Sequence, residues 1–403
     1  MDYSYRPANA RFAPSGEPIG MAFATGNAVG GPNVPQTEAN PPGGMVPFRR
    51  ATTARTSLLP VTGPAALTAA SQPVQIVVDG SGYIYGIDLD VAATGGAGGG
   101  GVFTEDAPYN VLSSIVFGDV NGELINLDGY SLFLANLYGG WSDHPLDASA
   151  DTNIFDISGV ANGNFRFHLQ VPVALNRRSL LGLVANQDRA QKYSLRTDIA
   201  ADSAVFGANL PAGNDPNITI TRTYDNYAVP AAQNANNAPQ QQTPPKFGVL
   251  HFLTQSVNPS APSGASTVNH YLPRLGNTIR LLILVLRSTA GSRATAEATM
   301  PTRVSLKLGD TPIFTETVAY RRALMFARYG FDAPDGILVY DFITDVINQA
   351  GAEMGEDYAF TNGLVNAQLE ITYPAGWGAG SSLTIITDDL IIPANVDIYA
   401  PDA

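Results

Sequence analysis

The architecture of the chain can be inferred outward from GYIYGIDLDV, residues 82–91. Its second half alternates apolar Ile87, Leu89 and Val91 with two aspartates, which predicts a β-strand with one buried face. A second glycine-led segment, GNTIRLLILV, occupies residues 276–285 at an offset of 194 residues. It contains the aliphatic run Leu281–Leu286, which we interpret as a buried strand. The two segments are the first sign of an internal repeat.

Four further features follow this strand in the same order in both halves. Each half has a strand that ends in Gly-Asp, then a helix candidate, a second strand and a third strand. The paired strand segments are 115–119 with 306–310, 165–171 with 337–343 and 217–221 with 382–387. The helix candidates are Asp128–Leu137 and Val318–Tyr329. The shared order, rather than any single match, indicates a duplication.

Each copy spans about 150 residues with about eight strands, which fits a jelly roll of two packed sheets. The segment PAAQNANNAPQQQTPP, residues 230–245, has the composition of a polar linker. We therefore predict an all-β fold of two consecutive eight-stranded jelly rolls with short helices. The first would span 66–229 and the second, with a C-terminal tail, 246–403. A further short helix is predicted over Ser179–Asn186.

Residues 1–65 show neither strand nor helix periodicity and are rich in Pro, Gly, Asn and Ala. We predict an extended arm that becomes ordered only on a partner. Residues 1–73 carry a net charge of +2, against -15 for the remainder. The arm's partners would be acidic neighbouring subunits, lipid head groups or nucleic acid, although the basic residues are too sparse for a sequence-specific nucleic-acid site. The candidate arm contacts are Arg6, Arg11, Arg49, Arg50 and Arg55.

Composition indicates a subunit of an assembly. Only 14% of the 403 residues are charged, against about 25% in an average soluble domain. The chain is nevertheless 45% hydrophobic, which excludes a wholly disordered protein. A free monomer depends on surface charge for solubility, so a charge-poor chain rich in turn formers suggests that much of its surface is buried against other protein.

No catalytic residue, cofactor or metal site is predicted. The chain has no cysteine and four scattered histidines. It also lacks the nucleophile elbow, the zinc-binding helix and the calcium loop. The acidic pair Asp388 and Asp389 is interpreted as solvated strand ends and turns. Trp141 and Trp377 are interpreted as packing residues.

Three arginines fall on the apolar second helix candidate: Arg321, Arg322 and Arg328. We interpret them as inter-subunit or inter-domain ion pairs. The N-terminus lacks the apolar core of a signal peptide. The longest aliphatic run, Leu281–Leu286, has six residues, far below the ~20 of a transmembrane helix. We therefore expect a soluble protein made in a cytoplasm.

Several stretches resemble tectivirus-type double jelly-roll major capsid proteins of bacteriophages. The first barrel of that family is resembled by GYIYGIDLDVAAT (82–94) and YNVLSSIVFGDVNGELI (109–125). The following helix and strands are similar to LDGYSLFLANLYGG (127–140) and LQVPVALNRRSLLGLVANQDRAQKYSLRTDI (169–199). In the second barrel the match is YGFDAPDGILVYDFITD (329–345). The arm departs from the family, because it is rich in Pro and Gly rather than helical and Gln-rich.

The resemblance implies a homotrimer with a pseudo-hexagonal outline, because two barrels per chain place six around the axis. Such trimers tile an icosahedral shell, commonly over an internal membrane. The implied partners are further copies of the chain, minor capsid or vertex proteins and membrane lipid. The implied location is the virion.

Two other functions are compatible with an all-β chain, and each would need a particular site. A receptor- or carbohydrate-binding β-sandwich spike or fibre would need a shallow aromatic site. A cupin-like or glycosidase-like enzyme would need a metal-binding histidine pair or two convergent acids.

Overall fold

Part of the chain is described by the computed structural model. The described residues are 45–96, 102–141, 163–175, 180–188, 192–208, 215–258, 265–272, 274–289, 292–294, 299–343, 358–375, 377, 380–394 and 396.

The described part of the first half contains twelve strands and four short helices. The strands are β1 (Ala54–Leu58), β2 (Thr62–Ala66), β3 (Gln75–Val77), β4 (Tyr83–Thr94), β5 (Val102–Phe103), β6 (Leu112–Asp119), β7 (Gly122–Leu127), β8 (Phe165–Pro172), β9 (Val184–Ala185), β10 (Ser194–Ile199), β11 (Phe206–Ala208) and β12 (Asn217–Tyr227). The helices are α1 (Phe48–Ala51), a 3-10 helix (Tyr109–Val111), α2 (Gly129–Tyr138) and α3 (Asp202–Val205).

The described part of the second half contains ten strands and one helix. The strands are β13 (Leu250–Asn258), β14 (Ser266–Tyr271), β15 (Thr278–Thr289), β16 (Ser292–Arg293), β17 (Arg303–Leu308), β18 (Thr311–Thr317), β19 (Ile337–Asp341), β20 (Ala359–Phe360), β21 (Ala367–Tyr373) and β22 (Ser382–Ile391). The helix is α4 (Val318–Tyr329).

The strand order is the same in both halves. In the first, the two sheets run β1-β12-β4-β8 and β3-β10-β6-β7. In the second they run β13-β22-β15-β19 and β14-β21-β17-β18. Each of these eight strands of the first half thus has a counterpart in the same place in the strand order of the second, which confirms the double jelly roll. The four segment pairs matched in the sequence fall on counterpart strands: β4 and β15, β6 and β17, β8 and β19, β12 and β22.

The two jelly rolls share one continuous sheet. Strand β7 of the first pairs in parallel with β13 of the second, with Ile125 opposite Leu253 and Asn126 opposite Thr254. This pairing merges one sheet of each jelly roll into a ten-stranded sheet. The backbone itself therefore joins the two halves.

Strand β15 is buried on both faces, which explains its uninterrupted aliphatic run. Leu281, Ile283 and Val285 belong to the core that also fills the first jelly roll. The alternate residues, Leu282, Leu284 and Leu286, belong to the core of the second jelly roll. Because successive side chains of a strand point to opposite faces, one strand lines both cores.

The Gly-Asp pair at the end of β6 shapes the turn that follows. Asp119 Oδ1 accepts hydrogen bonds from the backbone N–H of Asn121 at 2.8 Å and of Gly122 at 3.2 Å. A Cβ at Gly118 would lie 2.4 Å from the Gly122 carbonyl oxygen, so only glycine fits. The helices that follow are confirmed, since α2 begins after the predicted cap Asp128 and α4 has the predicted bounds.

The arm predicted over residues 1–65 is too long, because its last part belongs to the first jelly roll. Strands β1 and β2 lie within residues 1–65 or just beyond, yet both pair with β12. Arg222 of β12 is fully buried and donates to Thr62 Oγ1 at 2.7 Å, which ties this segment to the first jelly roll. Four of the five residues of β1 are exposed, so an edge strand of this kind carries no apolar alternation to detect.

The helix predicted over Ser179–Asn186 is wrong for the described residues 180–186. Gly182 has a φ of +83°, which a right-handed helix does not contain. Val184 and Ala185 form β9, which pairs with β4. The local sequence suggested a helix, but pairing of residues 184–185 with β4 determines the backbone conformation here. No helix in the described residues is long and apolar enough to cross a membrane.

Candidate assembly surfaces and the joint between the jelly rolls

A buried cluster around Asp388 of the second jelly roll contacts the first jelly roll through two backbone carbonyl oxygens, those of Gly139 and Val173. Arg280 of β15 donates to Asp388 Oδ2 at 2.6 Å and to the carbonyl oxygen of Gly139, at the end of α2, at 2.8 Å. His251 Nε2 lies 3.0 Å from Asp388 Oδ1, and its Nδ1 lies 3.3 Å from the Val173 carbonyl oxygen of the first jelly roll. The side chains of Arg280 and His251 are no more than 1% exposed. A buried charge of this kind is stable only because every partner is present.

The pKa values of the two adjacent aspartates of β22 are shifted in opposite directions. Burial disfavours the charged form of Asp388, but Arg280 and His251 more than offset this, so its pKa lies below the usual value. Burial raises the pKa of Asp389 to about 6, although the Asn277 amide donates to its carboxylate at 3.0 Å. The interpretation of this pair as solvated strand ends is wrong, because both lie inside the sheet and are at most 4% exposed.

A second charged cluster clamps the joint near the other end of β15. Arg287 lies 2.5 Å from Asp106 of the first jelly roll. Arg293 donates through its backbone N–H to Glu105 Oε2 at 2.6 Å and through Nη1 to the Tyr130 hydroxyl of α2 at 2.5 Å. Seven residues of strand separate Arg280 from Arg287, so the two clusters lie roughly 20–25 Å apart. Two well-separated attachments resist rotation of one jelly roll against the other.

Aromatic packing lies at the same joint. Tyr138 at the end of α2 makes an edge-to-face contact with Tyr329 at the end of α4, with ring centroids 5.0 Å apart. Tyr138 also lies 5.9 Å from the ring of Phe331. Contacts of this geometry add to the area they bury. The two helices therefore belong to one interface.

The three arginines predicted to make inter-subunit or inter-domain pairs bind within the second jelly roll. Arg321 lies 3.3 Å from Asp341 of β19, and Arg328 pairs with the same carboxylate. Arg322 lies 3.9 Å from Asp335. None of these three ion pairs joins the two jelly rolls.

Sequence reasoning therefore missed the arginines that do join the jelly rolls. They are Arg280, Arg287 and Arg293. A usable signal existed, because Arg280 and Arg287 bracket the aliphatic run of β15. An arginine next to a strand that is buried on both faces must find a partner from another element.

The predicted arm contacts divide into two groups. Arg6 and Arg11 lie outside the described residues. Arg49 and Arg50 lie on α1 and Arg55 on β1, all exposed. Beside them Phe48 is buried and makes an edge-to-face contact with Tyr83 at 5.5 Å. This anchor holds α1 against the first jelly roll and leaves its arginines facing outward.

Helix α4 exposes an apolar surface, which we call the α4 face. Its exposed residues form one contiguous arc at 100° per residue and none is charged: Ala319, Tyr320, Ala323, Phe326 and Ala327. Tyr320 and Phe326 are 59% and 52% exposed. Arg321, by contrast, is 7% exposed and lies on the buried side of the helix with Val318, Met325 and Tyr329. Exposed apolar surface of this kind marks a protein interaction site.

A pocket of about 560 Å³ opens beside the start of α4. Its lining residues are Met300, Pro301, Thr302, Thr317, Val318, Ala319 and Arg322. Ala319 belongs to both the pocket and the α4 face, so the two adjoin. Among the described residues, no group of three His, Asp or Glu side chains is placed to hold a metal.

The comparisons with known proteins show a shared fold. No family model and no curated protein sequence matches the chain. The PBCV-1 virus capsid is similar with a TM-score of 0.60 and 15% identity, over 84% of this chain and 93% of that chain. The crystal structure of the STIV MCP has a TM-score of 0.56 and 13% identity, over 85% and 97%. The structure of Sulfolobus Turreted Icosahedral Virus gives 0.57 and 14%, over 84% and 91%.

These structures superpose along most of the chain, across both jelly rolls. At 13–15% identity the likeness is one of fold. Strand order, the duplication and the superposition agree, and the family resemblance seen in the sequence is confirmed at this level. The chain has the double jelly-roll fold of viral major capsid proteins.

Proposed function

We propose that the chain is a major capsid protein that forms pseudo-hexagonal homotrimers, and that these trimers tile an icosahedral shell. The observation that carries the proposal is the duplicated jelly roll with one strand order in both copies. Two near-equivalent barrels per chain allow three chains to present six similar units around an axis. The similarity to the solved capsid structures supports the same function.

The joint suits such a role. A shell subunit must present its barrels at a fixed angle, because small rotations accumulate over a lattice. The shared sheet, the buried hydrogen bond from Arg280 to the Gly139 carbonyl oxygen and the Arg287–Asp106 pair support a fixed angle. The apolar α4 face then provides lateral surface for contact with another subunit.

A structural role fits the sites better than the alternatives do. Trp141 and Trp377 are each 2% exposed, so neither forms the open aromatic platform that a glycan-binding spike would use. Their interpretation as packing residues is confirmed. The adjacent acids of β22 are buried within the joint rather than facing a cleft. We therefore propose that the chain is not an enzyme and uses no cofactor.

Light scattering coupled to size-exclusion chromatography tests the trimer. Three chains of 42.4 kDa give a particle of about 127 kDa. The proposal predicts this mass across a wide concentration range, because ring contacts bury two surfaces on every chain. A stable monomer at high protein concentration would contradict it.

We further propose that the arm binds outside its own trimer, with an acidic neighbouring subunit as its first partner. Membrane lipid and minor capsid or vertex proteins are the other proposed partners, and the location is the virion after synthesis in the host cytoplasm. The test is a variant with Gln at positions 6, 11, 49 and 50. It should remain trimeric but form fewer shells by electron microscopy. Unchanged shell assembly, together with unchanged flotation with anionic vesicles, would contradict a role for the arm.

A further inference from the structure

The two jelly rolls of one chain meet through an edge strand of each. Because the fold is duplicated, each of these edge strands has a counterpart in the other jelly roll. Strand β7 is an edge of the first jelly roll and β13 an edge of the second, and the two pair in parallel. Their counterparts are β18 in the second jelly roll and β1 in the first. Among the described residues, β18 pairs only with β17, and β1 only with β12. The strands that would form a second joint of this kind, β18 and β1, therefore lie at the ends of their own sheets, with one edge of each still open among the described residues.

Counterpart positions can be assigned along these edges. Leu253 pairs with Asp388 of β22, and Leu58 pairs with Thr223 of β12. Asp388 and Thr223 are 165 residues apart, the offset that aligns β22 with β12. Leu253 is 1% exposed, whereas its counterpart Leu58 is 64% exposed. A leucine that is buried at the filled joint is therefore exposed at the unfilled one.

The opposite edge is assigned from the helix that follows it. Asp128 caps α2 and Thr317 caps α4, each accepting from the N–H three residues on. The residues three positions before these caps are Ile125 of β7 and Phe314 of β18, so these two residues occupy counterpart positions in the two halves. Ile125 faces Leu253 within the chain. Phe314 is thus expected to face the counterpart of Leu253, which is Leu58.

The same alignment explains the α4 face. Asn136 of α2 accepts a hydrogen bond from the Gln170 N–H of β8 at 2.7 Å, and Met325 of α4 accepts one from the Val339 N–H of β19 at 3.4 Å. These residues are 189 positions apart and contact counterpart strands, which fixes the helix alignment. The α2 residues at the offset of 189 from the α4 face are all buried: Tyr130, Ser131, Leu134, Leu137 and Tyr138.

Two of those residues, Tyr130 and Tyr138, contact the second jelly roll directly. The corresponding residues of α4 are Ala319 and Ala327, both exposed. The α4 face is therefore the surface that, by its position in the fold, corresponds to the part of α2 covered by the adjoining jelly roll.

From this correspondence we infer that a second copy of the chain fills the joint. Strand β18 of one copy pairs in parallel with β1 of the next, with Phe314 opposite Leu58, and the α4 face lies against the first jelly roll of that copy. The inference rests on the proposed function and names the surface through which its trimer forms.

The sequence of β18 restricts how far this pairing extends. Pro312 has no N–H to donate to a ladder, so pairing is confined to the part of β18 near Phe314 and Thr315. This matches the two-residue length of the pairing between β7 and β13. A proline on the same edge also opposes longer, non-specific strand addition.

The contact uses different surfaces on the two copies, so it is heterologous and closes into a ring when the rotation permits. Each chain contributes β18 and the α4 face on one side and β1 on the other. A closed ring leaves neither edge exposed, which removes the aggregation hazard of open strands.

Engineered disulfides test the register directly, since the chain has no cysteine to compete. Paired residues on neighbouring strands lie about 4.8 Å apart, within the Cα separation that a disulfide spans. The Leu58→Cys/Phe314→Cys variant should give covalent trimers on non-reducing gels after oxidation. Either single variant should give none. The matched control Ile125→Cys/Leu253→Cys should form a disulfide within one chain and leave its mass unchanged.

A second variant separates this inference from the proposed function. Phe326→Glu places a charge on the α4 face and should weaken association by at least about tenfold, the size expected for a central interface residue. Val365→Glu alters a residue that is 90% exposed and lies outside the inferred contact, so it should remain trimeric.

The outcomes are distinct. Covalent trimers together with dissociation by Phe326→Glu support the inferred contact. A trimer by mass without the Leu58–Phe314 disulfide, and with Phe326→Glu still associated, overturns the contact and leaves the proposed function standing. A wild-type chain that is monomeric at all concentrations overturns both.

Discussion

Helices α2 and α4 occupy the same place in two copies of one fold, yet their surroundings differ. All ten residues of α2 are buried, whereas only four of the twelve residues of α4 are. The difference arises because the second jelly roll of the same chain covers α2, and nothing among the described residues covers the α4 face. The comparison teaches that duplication creates pairs of equivalent surfaces, of which only one can be satisfied within a single chain.

The comparison also explains the low charge of the chain. A helix covered on all sides has no solvated face to carry charge, and α2 has none of the four charged residue types. Helix α4 carries three arginines, but two of them bind Asp341 of its own jelly roll. Its outward face stays apolar, as expected of a surface that is buried in an assembly.

The largest expected effect is at the joint. Arg280→Ala leaves the buried Asp388 carboxylate without its closest cation, which should lower the free energy of unfolding by about 3–5 kcal/mol. Urea denaturation measures this change. The matched control is Arg303→Ala, whose pair with Glu370 has a half-exposed arginine and should cost less than about 1 kcal/mol. Equal losses in the two variants would mean that the joint is no more than a surface contact.

Truncation of counterpart residues on the two helices tests their different burial. Leu137→Ala in α2 should destabilise the chain by about 2–5 kcal/mol, because it opens a cavity in the core. Phe326→Ala on α4 should change the unfolding of the monomer by no more than about 0.5 kcal/mol. Its effect should appear instead as a concentration-dependent loss of mass in light scattering. Loss of monomer stability on Phe326→Ala would contradict an assembly role for the α4 face.

The pH dependence of stability distinguishes the joint from an ordinary sheet. The pKa of Asp389 is raised to about 6 by burial, so the folded chain binds this proton more tightly than the unfolded chain. The stability that protonated Asp389 contributes to the folded chain is fully present below about pH 4 and is lost as the pH rises through about 6. Because each unit of pKa difference between the folded and unfolded chain corresponds to about 1.36 kcal/mol, the free energy of unfolding should fall by about 3 kcal/mol over this range.

Asp389→Asn keeps an acceptor for the Asn277 amide and cannot ionise. Urea titrations between pH 4 and 7 should therefore show less loss of stability for this variant than for the wild type. Asp388 does not interfere, because its depressed pKa makes its contribution vary only at lower pH. Parallel curves for the two proteins would show that Asp389 is not the group responsible.

Much of the architecture could be predicted from the sequence, because strand alternation and the Gly-Asp turns are local signals. Strands β4 and β15 and both long helices were found in this way. The edge strand β1 could not be found, since its residues are mostly exposed and its place depends on pairing with β12.

The site was harder to predict than the fold. Arg321, Arg322 and Arg328 were conspicuous because they cluster on an apolar helix, but they bind acids of their own jelly roll. Arg293, which binds across the joint, lies in a short strand with no local pattern. Which acid a given arginine meets depends on contacts between segments far apart in the chain, and spacing does not encode these contacts.

The smallest expected effect concerns Arg322. Its distance of 3.9 Å from Asp335 and the exposure of that carboxylate indicate a weak surface pair. Arg322→Ala should change the unfolding free energy by no more than about 0.5 kcal/mol. It lines the pocket beside the α4 face, so any effect should appear in the oligomer mass. A large loss of monomer stability would show that the pair is structural.

Electron microscopy of the purified protein in negative stain tests the central claim most directly. Three chains, each with two rigidly joined jelly rolls, should give six-lobed class averages about 70–80 Å across. Two-lobed particles of single chains, at a concentration where the protein is folded, would contradict the account.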